Sequence, residues 1–204
     1  MRLHELSFAW PGGETVFHRL SLDIDTGGLT LLVGPNGSGK TTLCRLLAGL
    51  EKPQAGSIDR MDCEVVYLKQ EGAANLVALT PDDDLAVWQH RFHRQSTDAD
   101  HHRRRDILSL AQLTEAAAQP VWELSGGQTR RTALAGLQLR PTAWWLLDEP
   151  ESGLDEAGFA LLRQLLTEHA SPGALVVTHD PSRYAFMPHR IIELKQSGEE
   201  PCDR

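Results

Sequence analysis

The segment from Leu31 to Thr42, LLVGPNGSGKTT, constrains the fold more than any other part of the chain. An apolar run at Leu29–Val33 predicts a buried strand before the glycines, and leucines at helical spacing predict a helix over Thr42–Leu50. The spacing from Gly34 to Thr41 is G-x-x-x-x-G-K-T, the P-loop pattern, in which backbone N–H groups and a helix N-terminus surround a phosphate. A glycine turn without a ligand is the alternative, which the strand and helix on either side disfavour.

The loop therefore predicts a site for a nucleoside triphosphate with Mg²⁺. Lys40 can reach the β- and γ-phosphates, and the hydroxyl of Thr41 can hold the metal ion. The residues predicted to bind the phosphates are Gly34, Asn36, Gly37, Ser38, Gly39, Lys40, Thr41 and Thr42.

Composition limits the other functions that this chain can have. A length of 204 residues suits one α/β domain, and the net charge of −8 argues against a broad nucleic-acid surface. The first ten residues do not have the pattern of a signal peptide, and the apolar runs are too short to span a bilayer. Cys44, Cys63 and Cys202 are scattered, which favours a reducing compartment, and Cys44 is expected to be a small core residue.

Hydrophobic patterning predicts an α/β fold, a P-loop NTPase core with a mostly parallel sheet. Residues 1–28 alternate around a Pro-Gly-Gly turn and predict an antiparallel β region. The core is expected from residues 29–70 and 124–195, with a small helical subdomain at 71–123 and a frayed polar tail at 196–204. Residues 1–204 are expected to form a single nucleotide-binding domain.

Individual elements of the core follow from short apolar runs. Strands are predicted at residues 144–148, 174–178 and 190–194, and a helix from about Glu156 to His169. A further strand is predicted near residues 65–68. Residues 52–56 predict a loop.

A second group of polar residues ends the predicted strand at 144–148. Asp148 and Glu149 follow four apolar residues and would lie at the edge of the sheet where α/β folds bind ligands. Adjacent residues of an extended strand point to different sides, so the two acids can take different roles. Asp148 can hold Mg²⁺ while Glu149 orients or deprotonates the attacking water. A solvated acid pair at a strand end is the alternative.

A third group is Leu124-Ser125-Gly126-Gly127-Gln128, before a predicted helix. Ser125 fits a helix N-cap, which is the simplest interpretation. A cap needs no second glycine, however, and the Gly126-Gly127 pair favours close approach of another phosphate.

These motifs and their order along the chain resemble those of the nucleotide-binding subunit of ATP-binding cassette (ABC) proteins. The resemblance covers nearly the whole chain. The matching segments are the P-loop, a glutamine loop at Gln70, the signature at residues 124–128, the Asp148-Glu149 pair, a D-loop at Ser152-Gly153-Leu154-Asp155, and a switch histidine at His179. Glu151 departs from the family, in which a threonine is usual at this position.

The resemblance implies a role for each matched residue. Trp10 would stack on adenine, Gln70 would contact Mg²⁺ and sense the partner, and His179 would hold the γ-phosphate and the attacking water. The signature residues Leu124, Ser125, Gly126, Gly127 and Gln128 would bind the ATP of another subunit. The implied partners are therefore a second ABC ATPase subunit, identical or paralogous, and an integral membrane component at the cytoplasmic face of the membrane, with no nucleic acid expected.

After Gln70 an acidic and apolar run follows, Leu79-Thr80 and then Asp82-Asp83-Asp84-Leu85-Ala86. This segment resembles the one at the same spacing in energy-coupling-factor (cobalt-type) transporters, so vitamin or metal uptake of that kind is our main expectation. The match is partial, since Glu71-Gly72-Ala73-Ala74 replaces the usual Asn-Pro-Asp-Asp. The alternatives are a cytochrome c maturation-type or other small export ATPase, or a non-transport ABC ATPase that acts on nucleic acid or ribosomes.

The segment 71–123 is also expected to dock the membrane partner. Its apolar residues could instead pack the core of the subdomain. These residues are Leu76, Val77, Leu79, Leu85 and Trp88.

Histidines and arginines are concentrated between residues 90 and 105 of the same segment. His90, His93, His101 and His102 invite a metal-site hypothesis, but no cysteine or acid completes a known ligand spacing. A solvated basic helix face is favoured instead. A small patch for nucleic acid or lipid headgroups is a further alternative.

Overall fold

The structure is a computed structural model that describes residues 1–59, 64–90, 97–169, 171–195 and 202–203. Its contacts divide the chain into two compact units. The first unit consists of Met1–Tyr67, Thr142–Glu149 and His169–Arg204, and the second of Leu68–Pro141 and Pro150–Glu168. The α/β fold is confirmed, whereas the expected subdomain boundaries at 71 and 123 stay a prediction.

A small antiparallel sheet opens the first unit. β1 (Arg2–Ala9) pairs with β2 (Thr15–Asp23) in antiparallel register, from Arg2 opposite Asp23 to Ala9 opposite Thr15. The antiparallel region predicted from alternation over residues 1–28 is therefore confirmed.

The prediction of a loop at residues 52–56 is wrong for its last two residues, which belong to a strand. Strand β4 (Ala55–Asp59) pairs with β1 and gives the sheet the order β2-β1-β4. The strand has a single half-buried apolar residue, Ile58, so it has no hydrophobic pattern to predict it. Gly56 has a φ of 81°, and a Cβ there would lie 2.4 Å from the carbonyl oxygen of His4, so only glycine allows this close approach.

A larger sheet carries the strands that follow the P-loop pattern. It contains β3 (Leu29–Val33), β5 (Val65–Leu68), β6 (Trp144–Asp148), β7 (Ala174–Val177), β8 (His189–Glu193) and β9 (Cys202–Asp203). The order is β5-β6-β7-β3-β8-β9, with β6, β7, β3 and β8 parallel and β9 antiparallel to β8. The mostly parallel sheet is confirmed, but Cys202 and Asp203 form a strand where the sequence predicts a frayed tail.

The core of the first unit joins the small sheet, the helix α1 (Lys40–Leu47) and one face of the large sheet. Leu6 from β1, Leu43 from α1 and Leu32 from β3 are completely buried in the same cluster. Cys44 of α1 is buried and free, as the helical pattern predicts. This packing fixes the P-loop, because α1 follows the loop and β3 precedes it.

The second unit is helical. It contains α2 (Pro81–His90), α3 (Asp98–Leu110), α4 (Gly126–Gly136) and α5 (Glu156–Glu168), the last where the sequence predicts it. Trp88 packs so closely on α4 that a Cβ at Gly136 would lie 2.7 Å from its ring. Among the helices of the described ranges, none is long and apolar enough to cross a membrane.

Candidate functional site

The first unit brings three predicted groups to one edge of the large sheet. Neighbouring parallel strands β6, β7 and β3 end there, so the residues that follow them lie side by side. β6 ends with Asp148, β7 leads to His179, and β3 leads to Gly34. The carboxyl edge of such a sheet is where α/β folds bind ligands.

The P-loop is shaped for an anion. Gly39 has a φ of 92°, and a Cβ there would lie 2.7 Å from the side chains of Val16 and Phe17. Lys40 donates hydrogen bonds from Nζ to the carbonyl oxygens of Gly34 (2.8 Å) and Pro35 (2.9 Å). Burial lowers the pKa of Lys40, and the charges of Glu149 and Asp148 oppose that shift. The cation thus lies inside the loop, bonded to carbonyls that a phosphate can replace.

The carboxylate of Asp148 is hydrogen-bonded to two hydroxyl groups. Tyr67 donates a hydrogen bond to Oδ2 of Asp148 at 3.1 Å, and the hydroxyl of Thr41 also bonds to this carboxylate. Burial raises the pKa of Asp148, while the two hydrogen bonds oppose the rise. Thr41 and Asp148, predicted to hold Mg²⁺, are therefore adjacent oxygen donors, the type of ligand that this ion prefers. The pair fits the metal.

Glu149 and His179 form the second polar contact of this edge. Nε2 of His179 lies 2.6 Å from Oε1 of Glu149, and the side chains are 49% and 18% exposed, respectively. Glu149 has a φ of 47°, an uncommon value for a residue other than glycine, and its N–H donates to the carbonyl of Val177 (3.1 Å). Strain of this kind concentrates at functional sites. The two residues predicted to act on the attacking water, Glu149 from its place at the strand end and His179 from the resemblance, are thus in contact.

Trp10, the predicted adenine-stacking residue, lies beside the helix that follows the P-loop. Its Nε1 donates to Oγ1 of Thr42 at 3.4 Å, and the residue is 37% exposed. An exposed indole linked to a P-loop threonine fits a stacking surface for a base.

The signature residues lie in the second unit and begin α4. Ser125 is the N-cap in a capping box: its Oγ accepts from the N–H of Gln128, and its own N–H donates to Oε1 of Gln128 at 2.8 Å. The simplest interpretation of Ser125 is therefore confirmed. A Cβ at Gly126 would have nothing within 4 Å, so packing of the described chain does not require glycine there.

Gln70 and the D-loop also belong to the second unit. Asp155 accepts from the N–H of Gly158 (2.8 Å) and forms an ion pair with Arg131 (3.4 Å), which joins the D-loop to α4. The N–H of Leu154 donates to the carbonyl of Glu151, which closes a turn through Ser152 and Gly153. The metal contact of Gln70 stays a prediction.

Sequence reasoning missed three residues that organise these groups. Arg130 is buried and donates to the carbonyl oxygens of Lys69 (2.7 Å), Gln70 (2.9 Å) and Pro150 (3.1 Å), so it ties the glutamine loop to the segment before the D-loop. Tyr67 supports Asp148, and Arg45 lies over the ring of Trp10. In the sequence Arg130 is one of two adjacent arginines in α4, and nothing in the pattern separates it from Arg131.

The histidine and arginine segment is not uniformly solvated. Arg104 is 3% exposed and donates to Asp82 (3.0 Å) and Gln89 (2.9 Å), so the predicted basic face is wrong at this residue. His101 contacts Arg104, and His102 contacts Arg105. Within the described residues, no group of three metal-ligating side chains is gathered. His93, with Arg91, Arg94 and Cys63, lies outside the described residues, as does the side chain of His90.

Comparisons with known proteins agree with this geometry. The family model described as ABC transporter matches residues 17–152. The cytochrome c biogenesis ATP-binding export protein CcmA of Hyphomonas neptunium is 38% identical over 175 residues, which cover 85% of this chain and 86% of the relative. The CcmA protein of Escherichia coli strain UTI89 is 35% identical over 197 residues, with 91% and 92% covered.

Solved structures give the same fold. The dimeric, post-hydrolysis ATP-binding cassette MJ0796, bound to ADP and Pi, aligns with a TM-score of 0.80 and 26% identity over 99% of this chain and 97% of that one. The cbiO1 protein of Clostridium perfringens, part of the transporter complex cbiONQ, aligns with a TM-score of 0.72 and 23% identity over 95% and 83% of the two chains.

Proposed function

Because this chain belongs to the ABC transporter family and is an ATPase of that family, we propose that it powers an export system that serves cytochrome c biogenesis. The observation that carries this proposal is the similarity to CcmA proteins, at 34% to 38% identity over 81% to 91% of the chain. The expected energy-coupling-factor type of uptake is less well supported. The likeness to cbiO1, at 23% identity, bears on the fold alone.

The first unit supplies the groups that hydrolysis needs. Lys40 would exchange its bonds to the carbonyls of Gly34 and Pro35 for bonds to phosphate oxygens. Thr41 and Asp148 would hold Mg²⁺, which when bound neutralises charge on the phosphates. Glu149 would accept the proton of the attacking water, and His179 would orient Glu149 and the γ-phosphate.

The signature requires a second copy or a paralogue. The open space at Gly126, which the described chain does not fill, fits the approach of a phosphate held by another subunit. The relative MJ0796 is dimeric in its solved form. Closure of such a dimer around ATP would complete two shared sites. Size-exclusion chromatography of Glu149→Gln tests this, and we expect a dimer with ATP and a monomer without it. If the chain stays monomeric with ATP, the measurement is repeated on mixtures with paralogues.

An exposed apolar patch of the second unit supports a membrane partner. Val77, Leu79 and Trp122 are 70%, 66% and 70% exposed. The carbonyl of Leu79 accepts from the N–H of Val121 at 2.9 Å, so the segment before α2 lies beside the segment before α4 that carries Trp122. We call these three residues the apolar patch. Leu85, which the sequence suggested for docking, is completely buried and packs the unit itself. Peripheral attachment at the cytoplasmic face of the membrane would follow.

Deletion of the gene in its own host tests the proposed cargo system. We expect c-type cytochromes to disappear from absorbance spectra of the membranes, while cobalt and vitamin uptake stays normal. The wild-type gene should restore the spectra and a Glu149→Gln gene should not. If the deletion strain keeps its c-type cytochromes but loses cobalt or vitamin uptake, the proposed export function is contradicted and the energy-coupling-factor interpretation is favoured. Recovery of ribosomes or DNA with the purified chain would favour a non-transport ATPase.

A further inference from the structure

The ring of Trp10 is held by side chains that take no part in the phosphate site. The guanidinium carbon of Arg45 lies over the indole, 5.4 Å from the ring centroid. Phe8 makes an edge contact at 5.1 Å with an interplanar angle of 89°. Together with the hydrogen bond from Nε1 to Thr42, these contacts hold the ring in place from several sides.

Arg45 is itself anchored. Its Nη2 lies 2.6 Å from Oε1 of Glu51, and the two side chains are 36% and 25% exposed. The N–H groups of Leu50 and Glu51 both bond to the carbonyl of Arg45 at the end of α1, so the backbone places Glu51 beside the guanidinium. An ion pair tied down in this way keeps Arg45 over the ring. We call Glu51, Arg45 and Trp10 the indole clamp.

The clamp has a consequence for a base that stacks on Trp10. A guanidinium over an aromatic face is attracted by the ring electrons, and it occupies that side of the indole. The exposed 37% of Trp10 then remains for the base. A ring that is already fixed loses less conformational freedom on binding, which increases affinity.

We propose that Arg45, anchored by Glu51, is a positioning residue for the nucleobase, acting through Trp10. The inference rests on the proposed function as an ATPase and on the predicted role of Trp10 in stacking on adenine. It predicts that Arg45 affects the nucleoside part of the ligand and leaves the phosphate site and the hydrolytic step unchanged. This separates it from Lys40, whose bonds are to the phosphate loop.

Calorimetric titration with ADP and with pyrophosphate, both with Mg²⁺, tests the clamp. The two ligands carry the same number of phosphorus atoms, and pyrophosphate lacks a base. We expect Arg45→Gln to weaken ADP binding roughly two- to fivefold, the range for a cation over an aromatic ring, and to leave pyrophosphate binding unchanged. Glu51→Gln should have a smaller effect in the same direction, and Arg45→Lys should restore part of the loss. Arg2→Gln is the matched control, since Arg2 also pairs with an acid, Asp23.

A double-mutant cycle separates the clamp from stacking itself. In a Trp10→Ala background, Arg45→Gln should cause no further loss of ADP affinity, because its effect passes through the indole. Full ADP affinity in Trp10→Ala alone would contradict stacking. If Trp10→Ala loses ADP affinity as expected, two results for Arg45→Gln would still overturn the clamp. One is unchanged ADP affinity, and the other is an equal loss of affinity for ADP and for pyrophosphate. Thermal melts confirm that each variant is folded.

Discussion

The phenolic hydroxyl of Tyr67 donates a hydrogen bond to Oδ2 of Asp148 across 3.1 Å, from β5 to the neighbouring strand β6. The same carboxylate bonds to the hydroxyl of Thr41. Burial raises the pKa of Asp148, and both bonds favour its charged form. Tyr67 therefore orients a buried acid and favours its charged form, which is the form that would hold the metal that we propose at this site.

Tyr67→Phe removes that hydroxyl and keeps the ring. We expect Mg²⁺ affinity in the presence of ADP to fall about tenfold, the lower end of the effect of outer partners of metal ligands. Binding of ADP in EDTA should not change, because the hydroxyl that is lost bonds to Asp148, whereas Lys40 bonds to the carbonyls of the P-loop. Calorimetry with and without Mg²⁺ measures both. An equal loss in EDTA would show that the variant disturbs the P-loop rather than Asp148.

The apolar patch is expected to attach the chain to its membrane partner. Leu79→Glu combined with Trp122→Glu should remove the chain from salt-washed membranes of its host, because a buried charge without a partner destabilises an interface. Nucleotide binding in solution should be retained. Leu50→Glu is the control, since Leu50 is 53% exposed and lies outside the patch. Retention of the double variant on membranes would exclude this surface and direct attention to the arginines of α3.

His169 predicts an acid-sensitive contribution to stability. Its ring stacks on Trp145 with centroids 3.5 Å apart, and burial lowers its pKa below the ordinary 6.5. Below about pH 6.5 the unfolded chain therefore binds more protons at this site than the folded one, so stability falls as the pH falls. The contribution is complete above that pH.

Urea unfolding at several pH values measures the effect of His169. We expect the free energy of unfolding to decrease from about pH 7 to pH 5 in the wild type, and less steeply in His169→Gln. His4→Gln, at an exposed position, should keep the wild-type slope. Equal slopes in all three proteins would contradict the assignment.

Replacement of Gly56 in β4 is expected to destabilise the protein. Gly56→Ala should lower the free energy of unfolding by about 1–3 kcal/mol, because a Cβ would strain a φ of 81° and meet the backbone of His4 and Glu5. Gly12→Ala is a matched control, with a φ of 70° and nothing within 4 Å of the new Cβ. Urea unfolding should therefore show the larger loss for Gly56→Ala. Equal losses would mean that the backbone contact costs nothing beyond the strained φ.

The sequence predicts the elements whose pattern is local. Strands β3, β6 and β7 are short and largely apolar, and they are buried at nearly every position, so they stand out in the sequence. The positions of Gly34, Asp148 and His179 follow, because each residue lies at the end of one of those strands or within two residues of it. β4 could not be predicted, since it depends on pairing with β1 about fifty residues away and buries almost nothing apolar.

The supporting contacts of the site were also hidden in the sequence. Tyr67 and Asp148 are separated by 81 residues, and Arg130 and Lys69 by 61. Such pairs have no periodicity, and only the tertiary fold brings them together. Arg104 is a case in which the local pattern misleads. A run of arginines indicates a solvated face, yet this arginine is buried and donates hydrogen bonds to Asp82 and Gln89.

The rate of ATP hydrolysis by Glu149→Gln tests the central claim most directly. Glu149 contacts His179 at the edge of the sheet, and a positioned base contributes about 10²–10⁴ in rate, so we expect phosphate release to fall by that factor while ATP binding is retained. Glu151→Gln, two residues along the chain, is the matched control and should turn over normally. Both are measured with the dimerisation or membrane partner present. Normal hydrolysis by folded Glu149→Gln would contradict the account.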